Sequence, residues 1–122
     1  MYISIKIKRV YEKYDVNDGF RILIDRLWPR GLSKEEAKID LCMKEIAPSD
    51  NLRKWFAHDP KKWEEFMKKY EEGLRKNEIL NKLINNNTRK KNVTLLYSAK
   101  DKEHNNAVVL KNVLESVIKG SS

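Results

Sequence analysis

Cysteine is nearly absent from this chain: Cys42 stands alone among 122 residues. No internal disulfide can form, and no Cys/His ligand spacing accompanies it. Cys42 therefore reads as a small core residue, with a reactive thiol as the lesser alternative. Long apolar runs are absent too. None approaches the length that spans a bilayer, and the first residues carry no signal-peptide apolar segment, so the expectation is a cytoplasmic protein with no membrane partner. There is no phosphate-loop signature, no Gly-x-Gly-x-x-Gly, no metalloprotease helix and no nucleophile elbow. Internal repeats, low-complexity tracts and inter-domain linkers are missing as well. Both histidines and several carboxylates leave metal binding open as a third functional reading, but no local ligand pattern demands a metal, and no metal ligands are assigned. No cofactor is specified, and the oligomeric state is not written in the sequence.

What is present suits one folded domain over residues 1–119, followed by Gly120-Ser121-Ser122 as a flexible end or an expression remnant. Hydrophobic residues make up 40% of the chain, with three Trp, five Tyr and three Phe. That is enough for a core without staples. Charged residues reach 36% and the formal net charge is +8. Such a balance suits nucleic acid or another polyanion, and it equally suits a Lys-rich solvated surface. No basic run is interleaved with aromatics as a single-strand binder requires, and Arg89-Lys90-Lys91 is short.

Along the chain, Ile3, Ile5 and Ile7 alternate with Ser4, Lys6 and Lys8, the pattern of a half-buried strand. Asp15 to Gly19 is a turn. Phe20 to Asp25 predicts a second strand, followed by a loop at Leu27 to Gly31. Ser33 to Glu36 is a capping box opening a short helix. Residues 39–46 fit either a third strand or a continuation of that helix. Ser49 caps the next helix, with Leu52, Trp55 and Phe56 on one face. Asp59 and Pro60 start a longer one, with Trp63, Phe66, Met67, Tyr70 and Leu74 in one stripe. A helix over Glu78 to Thr88 turns Ile79, Leu80, Leu83 and Ile84 inward. Val93 to Leu96 is a strand buried on both faces, and a polar turn from Tyr97 leads into a last helix with Ala107, Leu110, Leu114 and Val117 inward. This order predicts a small single-domain α/β sandwich with a mainly parallel sheet of three to four strands flanked by helices.

Three polar constellations carry chemistry. Asp25 to Gly31 puts a carboxylate at a strand end and two arginines, Arg26 and Arg30, around Trp28. An arginine fork binds phosphate or carboxylate in two places at once, and Trp28 can stack on a base. The structural alternative is an internal Asp25–Arg salt bridge with Trp28 in the core. The second constellation, Leu52 to Pro60, holds His58, a proton carrier or a histidine bonded to backbone at a tight turn. The third is the turn before the last helix. There His104 continues the buried stripe into the first turn, leaning toward the strand end where anions are favoured. Neutral His104 fits a general base, a donor to an oxyanion or a metal ligand. Ser98 and Asp101 are candidate helix caps, and Asn105 and Asn106, poor helix formers, need another reason to be there.

DRLWPRGLSKEE (Asp25 to Glu36), the Ala47 to Ser49 triplet with LRKWFAHDPKKW (Leu52 to Trp63), and TLLYSAKDKEHNNAVVL (Thr94 to Leu110) resemble the YeaO-like branch of the bacterial and archaeal DUF 488 family. The resemblance spans Ile7 to about Val117. It implies no settled activity. Broader members carry an Asp-x-Arg-like motif after one strand and a Cys-His-Arg motif opening the last helix. Here the latter aligns with Glu103-His104-Asn105, so this branch keeps the histidine without the thiol.

The leading expectation is a site at the carboxyl end of the sheet for a small phosphorylated or nucleotide-like anion. His104 and Asp25 are its catalytic candidates. Arg26, Trp28, Arg30, Tyr97, Ser98, Asn105, Asn106 and His58 are its ligand-binding candidates. A nucleic-acid-binding module is the second reading.

Overall fold

The computed structural model describes residues 4–87 and 92–120. Ile3, Thr88, Arg89 to Lys91, Ser121 and Ser122, and the Ile84 side chain, lie outside what it describes. Four parallel strands form one sheet: β1 (Ser4–Arg9), β2 (Phe20–Leu23), β3 (Leu41–Cys42) and β4 (Asn92–Tyr97), in the order β1-β4-β2-β3. The last strand in sequence is therefore interior, which is why Val93 to Tyr97 is buried throughout. Its neighbours are fixed by register, Ile7 with Leu95 on one side and Ile22 with Leu95 on the other. Parallel pairing of β2 with β4 requires a crossover, and the helices between them supply it.

The two faces of the sheet are built differently. Side chains alternate along a strand, so Ile5, Ile22, Ile24, Val93, Leu95 and Tyr97 fall on one face. The longer helices cover that face: α2 (Asp50–Phe56), α3 (Trp63–Lys76), α4 (Glu78–Asn87) and α5 (Asn106–Gly120). Phe66, Tyr70 and Leu74 are the buried stripe of α3, and Ala107, Leu110 and Leu114 that of α5. Each buried Phe or Leu among these contributes about 1.5–3 kcal/mol by leaving water. The other face carries Lys6, Thr94 and Arg21 in one row and Lys8, Leu96 and Leu23 in the next. Among the described residues, the four-residue helix α1 (Lys34–Ala37) with the loops around it and the 3-10 turn at Val16–Asp18 cover this face, with Leu32 and Ile39 packed against the cluster of Val10, Leu23 and Leu96.

Local signals set most boundaries. Ser33 accepts from Glu36 N–H in a capping box, Ser49 accepts from Leu52 N–H, and Asp59 accepts from Lys61 N–H ahead of Pro60. Residues 39–46 resolve into the two-residue strand β3 and a 3-10 turn at Lys44–Ile46, so the strand reading holds in shortened form. Cys42 is exposed, not in the core. Strand β3 is an edge of only two residues, and Leu41 takes the core-facing position, so its neighbour faces out. Gly19 has φ +69, and a Cβ there would stand 2.3 Å from the Asn92 carbonyl oxygen, so only glycine fits.

Candidate functional site

All four strands run the same way, and residues at or beyond their carboxyl ends line one cleft of roughly 1070 Å³. That is the upper end of the roughly 300–1,000 Å³ typical of small-molecule sites. Strand β1 delivers Arg9 and Tyr11, β2 delivers Asp25 to Arg30, and the segment after β3 delivers Ala47 and Pro48. The turn after β4 delivers Ser98 to Asp101 and His104 to Asn106. Phe56, His58 and Phe66 come from the helical layer. The loops at Arg26 to Arg30 and at His104, far apart in sequence, thus line one place.

Asp25 joins three elements at the base of the cleft. Its Oδ2 accepts from Ser98 N–H at 2.8 Å and from Ser98 Oγ–H at 2.7 Å, and its Oδ1 accepts from Asn106 Nδ2 at 3.0 Å. This ties the end of β2 to the end of β4 and to the first residue of α5. Among the described residues no Asp25–Arg salt bridge forms; Arg26 reaches Asp50 at 3.5 Å instead, and Asp50 is shared with Arg53 at 3.3 Å. Tyr70 lies beneath, donating to the Ile46 carbonyl at 2.6 Å. Burial, and then the nearby Asp25 charge, push its phenol above the ordinary range.

His104 does not continue a buried helical stripe. It precedes α5, in a turn stabilised by Asp101, whose carboxylate accepts from Glu103 N–H at 2.9 Å and His104 N–H at 3.0 Å. These backbone bonds, and then the His104 ring, hold the Asp101 carboxyl below its usual value. The ionised carboxylate stands 2.9 Å from His104 Nδ1, which places the ring proton on Nδ1. Trp63 meets the ring edge-on, with centroids 5.2 Å apart. Nε2 has no hydrogen-bond partner among the described residues. It is an acceptor in the neutral ring and a donor in the imidazolium.

The true cap of α5 is Asn105, one residue after His104. Its Oδ1 accepts from Val108 N–H at 3.1 Å, and its Nδ2 donates to the Asp101 carbonyl at 2.9 Å. Ser98 and Asp101 are therefore not the caps of this helix: Asp25 engages Ser98, and Asp101 closes the preceding turn. Asn106 owes its place to Asp25 and to the Ile24 carbonyl, 3.3 Å away.

Tyr97 does not line the cleft. It shares the core face with Val93 and Leu95 and is buried, its phenol raised by burial and then by Glu12, against the lowering pull of Arg9 and an Asn105 hydrogen bond. Trp28 is not core: 41% of it is exposed, and its Nε1–H donates to the Leu32 carbonyl at 2.6 Å. His58 lies at an exposed left-handed turn, φ +57, and its ring meets Phe56 rather than backbone. Trp55 and Trp63 pack against the core, as their spacing predicts.

The sequence reading missed Arg9 and Tyr11. Arg9 Nε–H donates to the Ser98 and Ala99 carbonyls at 3.2 and 3.1 Å, and its guanidinium lies 4.8 Å from the Tyr11 ring centre. Tyr11 in turn donates to the Arg30 carbonyl at 2.8 Å. Their signal was positional: both sit at or just past a strand's carboxyl end, as Asp25 and Ser98 do. Five cationic side chains (Arg9, Arg26, Arg30, Arg53, Lys100) line the cleft against the carboxylates of Asp25 and Asp101. Arg30 and Lys100 make no ion pair among the described residues. Also among the described residues, no group of three or more His, Cys, Asp and Glu side chains is placed to hold a metal ion, and no helix is long and apolar enough to cross a membrane.

A family model described as the inactive DUF488-N3 subclade (DUF488-N3i) matches residues 4–122. The uncharacterised protein YeaO of Escherichia coli (strain K12) is 41% identical over 115 residues, which is 94% of this chain and 100% of YeaO. The uncharacterised proteins Rv3073c of Mycobacterium tuberculosis and Mb3100c of Mycobacterium bovis are each 41% identical over 70 residues, 57% of this chain and 59% of theirs. No solved structure matches. With the three long motifs placed around one cleft and the match covering nearly the whole chain, the protein belongs to the DUF488 family, in its YeaO-like branch.

Proposed function

We propose that this protein binds a small phosphorylated ligand in the cleft beyond the carboxyl ends of its strands, and that it binds without turning the ligand over. One observation carries the reading. The Arg30 and Lys100 side chains and His104 Nε2 all line the cleft, and none of these groups has an ion-pair or hydrogen-bond partner among the described residues. Two other cations of the same cleft, Arg26 and Arg53, are by contrast paired on Asp50. Unpaired cations around one concavity are what an anion requires, because charge-assisted hydrogen bonds are roughly twice as strong as neutral ones, and His104 Nε2 joins them as a donor when its ring is protonated.

Binding without chemistry fits the groups present. The hydroxyl of Ser98 is committed to Asp25, and Asp25 is itself held by three donors, so neither is poised as a nucleophile or a base. His104 keeps a proton-transfer geometry through Asp101, but among the described residues that line the cleft none stands as an activated nucleophile beside it. The "inactive" description of the matching subclade agrees.

The test is a thermal-shift panel of inorganic phosphate, sugar phosphates, nucleotides and divalent metals on the wild type, Arg30→Ala and His104→Ala. A ligand that binds only the folded state stabilises it by about 2.7 kcal/mol at a hundred times its Kd. The expected result is a saturable rise for a phosphorylated compound, with affinity weakened about tenfold or more by either substitution. No rise with any phosphorylated compound overturns the proposal. Retention on nucleic acid alone, falling steeply with salt, would replace it with an extended polyanion site.

A further inference from the structure

The rim of the cleft carries more exposed ring surface than an anion site needs. The large hydrophobic side chains that stand exposed include Tyr11, Leu27 and Trp28, at 39%, 65% and 41%, and all three line this cleft. The polar tips of the two rings are pinned to one loop: Trp28 Nε1–H on the Leu32 carbonyl at 2.6 Å, and Tyr11 Oη–H on the Arg30 carbonyl at 2.8 Å. Pinning a ring by its tip while leaving it exposed fixes an aromatic surface in advance of any contact. Arg9 shows the use of such a surface, its guanidinium lying 4.8 Å from the Tyr11 ring centre. The loop that holds both rings also carries Arg30, whose guanidinium has no ion-pair partner among the described residues. Ring surface and anion donor are thus presented by a single turn, bent at Pro29 and at Gly31 with φ +78.

Resting on the reading of the cleft as an anion site, we infer that its ligand carries a planar heteroaromatic ring beside the phosphate: a nucleoside monophosphate, with the base on the Tyr11–Trp28 rim and the phosphate toward Arg30, Lys100 and His104. Simple sugar phosphates and inorganic phosphate would engage only the cationic part. Base-on-aromatic stacking tolerates any base, so the preference is for a ring, not for one base. The cleft, roughly 1070 Å³, has room for both parts at once.

Isothermal titration of the full chain distinguishes the parts. The titrants are AMP, GMP, CMP and UMP, ribose 5-phosphate (the phosphate without a ring), and adenosine (the ring without a phosphate). At least one monophosphate is expected to bind about tenfold or more tighter than ribose 5-phosphate, the factor that one stacked base supplies. Trp28→Ala should remove most of that ratio, lowering nucleotide affinity by a larger factor than ribose 5-phosphate affinity. Trp28→Phe, which keeps a ring, should retain it. Circular dichroism on each variant separates lost stacking from lost folding, and Tyr11→Leu provides a second probe if Trp28→Ala fails to fold. Equal binding of ribose 5-phosphate and every nucleotide overturns this inference and leaves the anion site standing. Absence of binding by every phosphorylated compound overturns both. Competition by a 5′-phosphorylated oligonucleotide would assign the same ring-and-phosphate chemistry to a strand end, and its failure to compete assigns it to the free nucleotide.

Discussion

The amino-end half of the sheet and its carboxyl ends handle charge in opposite ways. Beside the start of β2, Asp18 and Arg21 form a buried ion pair, with Lys8 reaching the same carboxylate at 3.1 Å and Lys6 at 3.4 Å. The rest of the Arg21 guanidinium donates to the Ala37 and Lys38 carbonyls, and Thr94 Oγ–H donates to the Asp18 carbonyl at 2.6 Å. Every charge there is satisfied by the protein itself. At the carboxyl ends, Asp25 is satisfied by neutral donors, while Arg30, Lys100 and His104 Nε2 face a cleft. One end spends its charges on holding the fold. The other leaves three groups unpaired around a cleft, as the proposed ligand site requires. Charge content alone therefore says little about function in a chain with net charge +8; what matters is which unpaired charges gather around one concavity.

The largest effect expected from breaking this contrast is at Asp18. Asp18→Asn leaves Arg21 buried without its counter-charge, and losing one partner of such a pair costs about 3–5 kcal/mol. Urea unfolding should show that loss, while the affinity of the cleft for phosphate compounds stays as in the wild type. A loss under about 1 kcal/mol would mean that the pair is dispensable.

Acid should act through the same carboxylate. Burial raises the Asp18 pKa, but the Lys8 hydrogen bond, the Asp15 N–H and the remaining cationic contacts outweigh it and hold the group below its ordinary 3.8. The unfolded chain then takes up this proton first. The contribution of Asp18 to stability is complete above the ordinary value and is lost as pH falls through the lowered one. Unfolding midpoints should therefore drop in strong acid more for the wild type than for Asp18→Asn. Parallel acid profiles would contradict the assignment.

A smaller effect sharpens the other end. Asn105→Ala removes the cap of α5 and should cost about 1 kcal/mol. Ser98→Ala removes a bond to Asp25 but no cap, so hydrogen exchange in the first turn of α5 should quicken in the first variant and not in the second. Equal fraying in both would return the cap to Ser98.

Those positions also mark where sequence reading succeeds and stops. The caps at Ser33, Ser49 and Asp59 were legible because each acts within three residues of itself. The interior strand β4 was legible because an unbroken apolar run demands burial on both faces. At Ser98 to Asn106 the sequence offers four side chains able to cap, and the choice is made by Asp25, more than seventy residues away in the chain. The partnership of Asp18 with Arg21 was hidden for a similar reason. An arginine inside a strand looks solvent-facing until the loops around α1 fold over it. Cys42 went astray because burial of a strand residue depends on whether its strand is central or an edge. Asp25, Arg30, His58 and His104 were singled out by residue type and position, and all four line the cleft. Arg9 and Tyr11 required knowing that β1 ends at the same cleft.

The central claim, that the carboxyl-end charges are kept for a ligand and the amino-end charges are not, is tested most directly by mapping amide chemical shifts during a titration with a nucleoside monophosphate. The account predicts saturable shifts confined to residues 9–11, 25–30 and 98–106, with residues 15–21 unmoved. Shifts centred on Asp15 to Arg21, or scattered over the lysines of α3 without saturation, would contradict it.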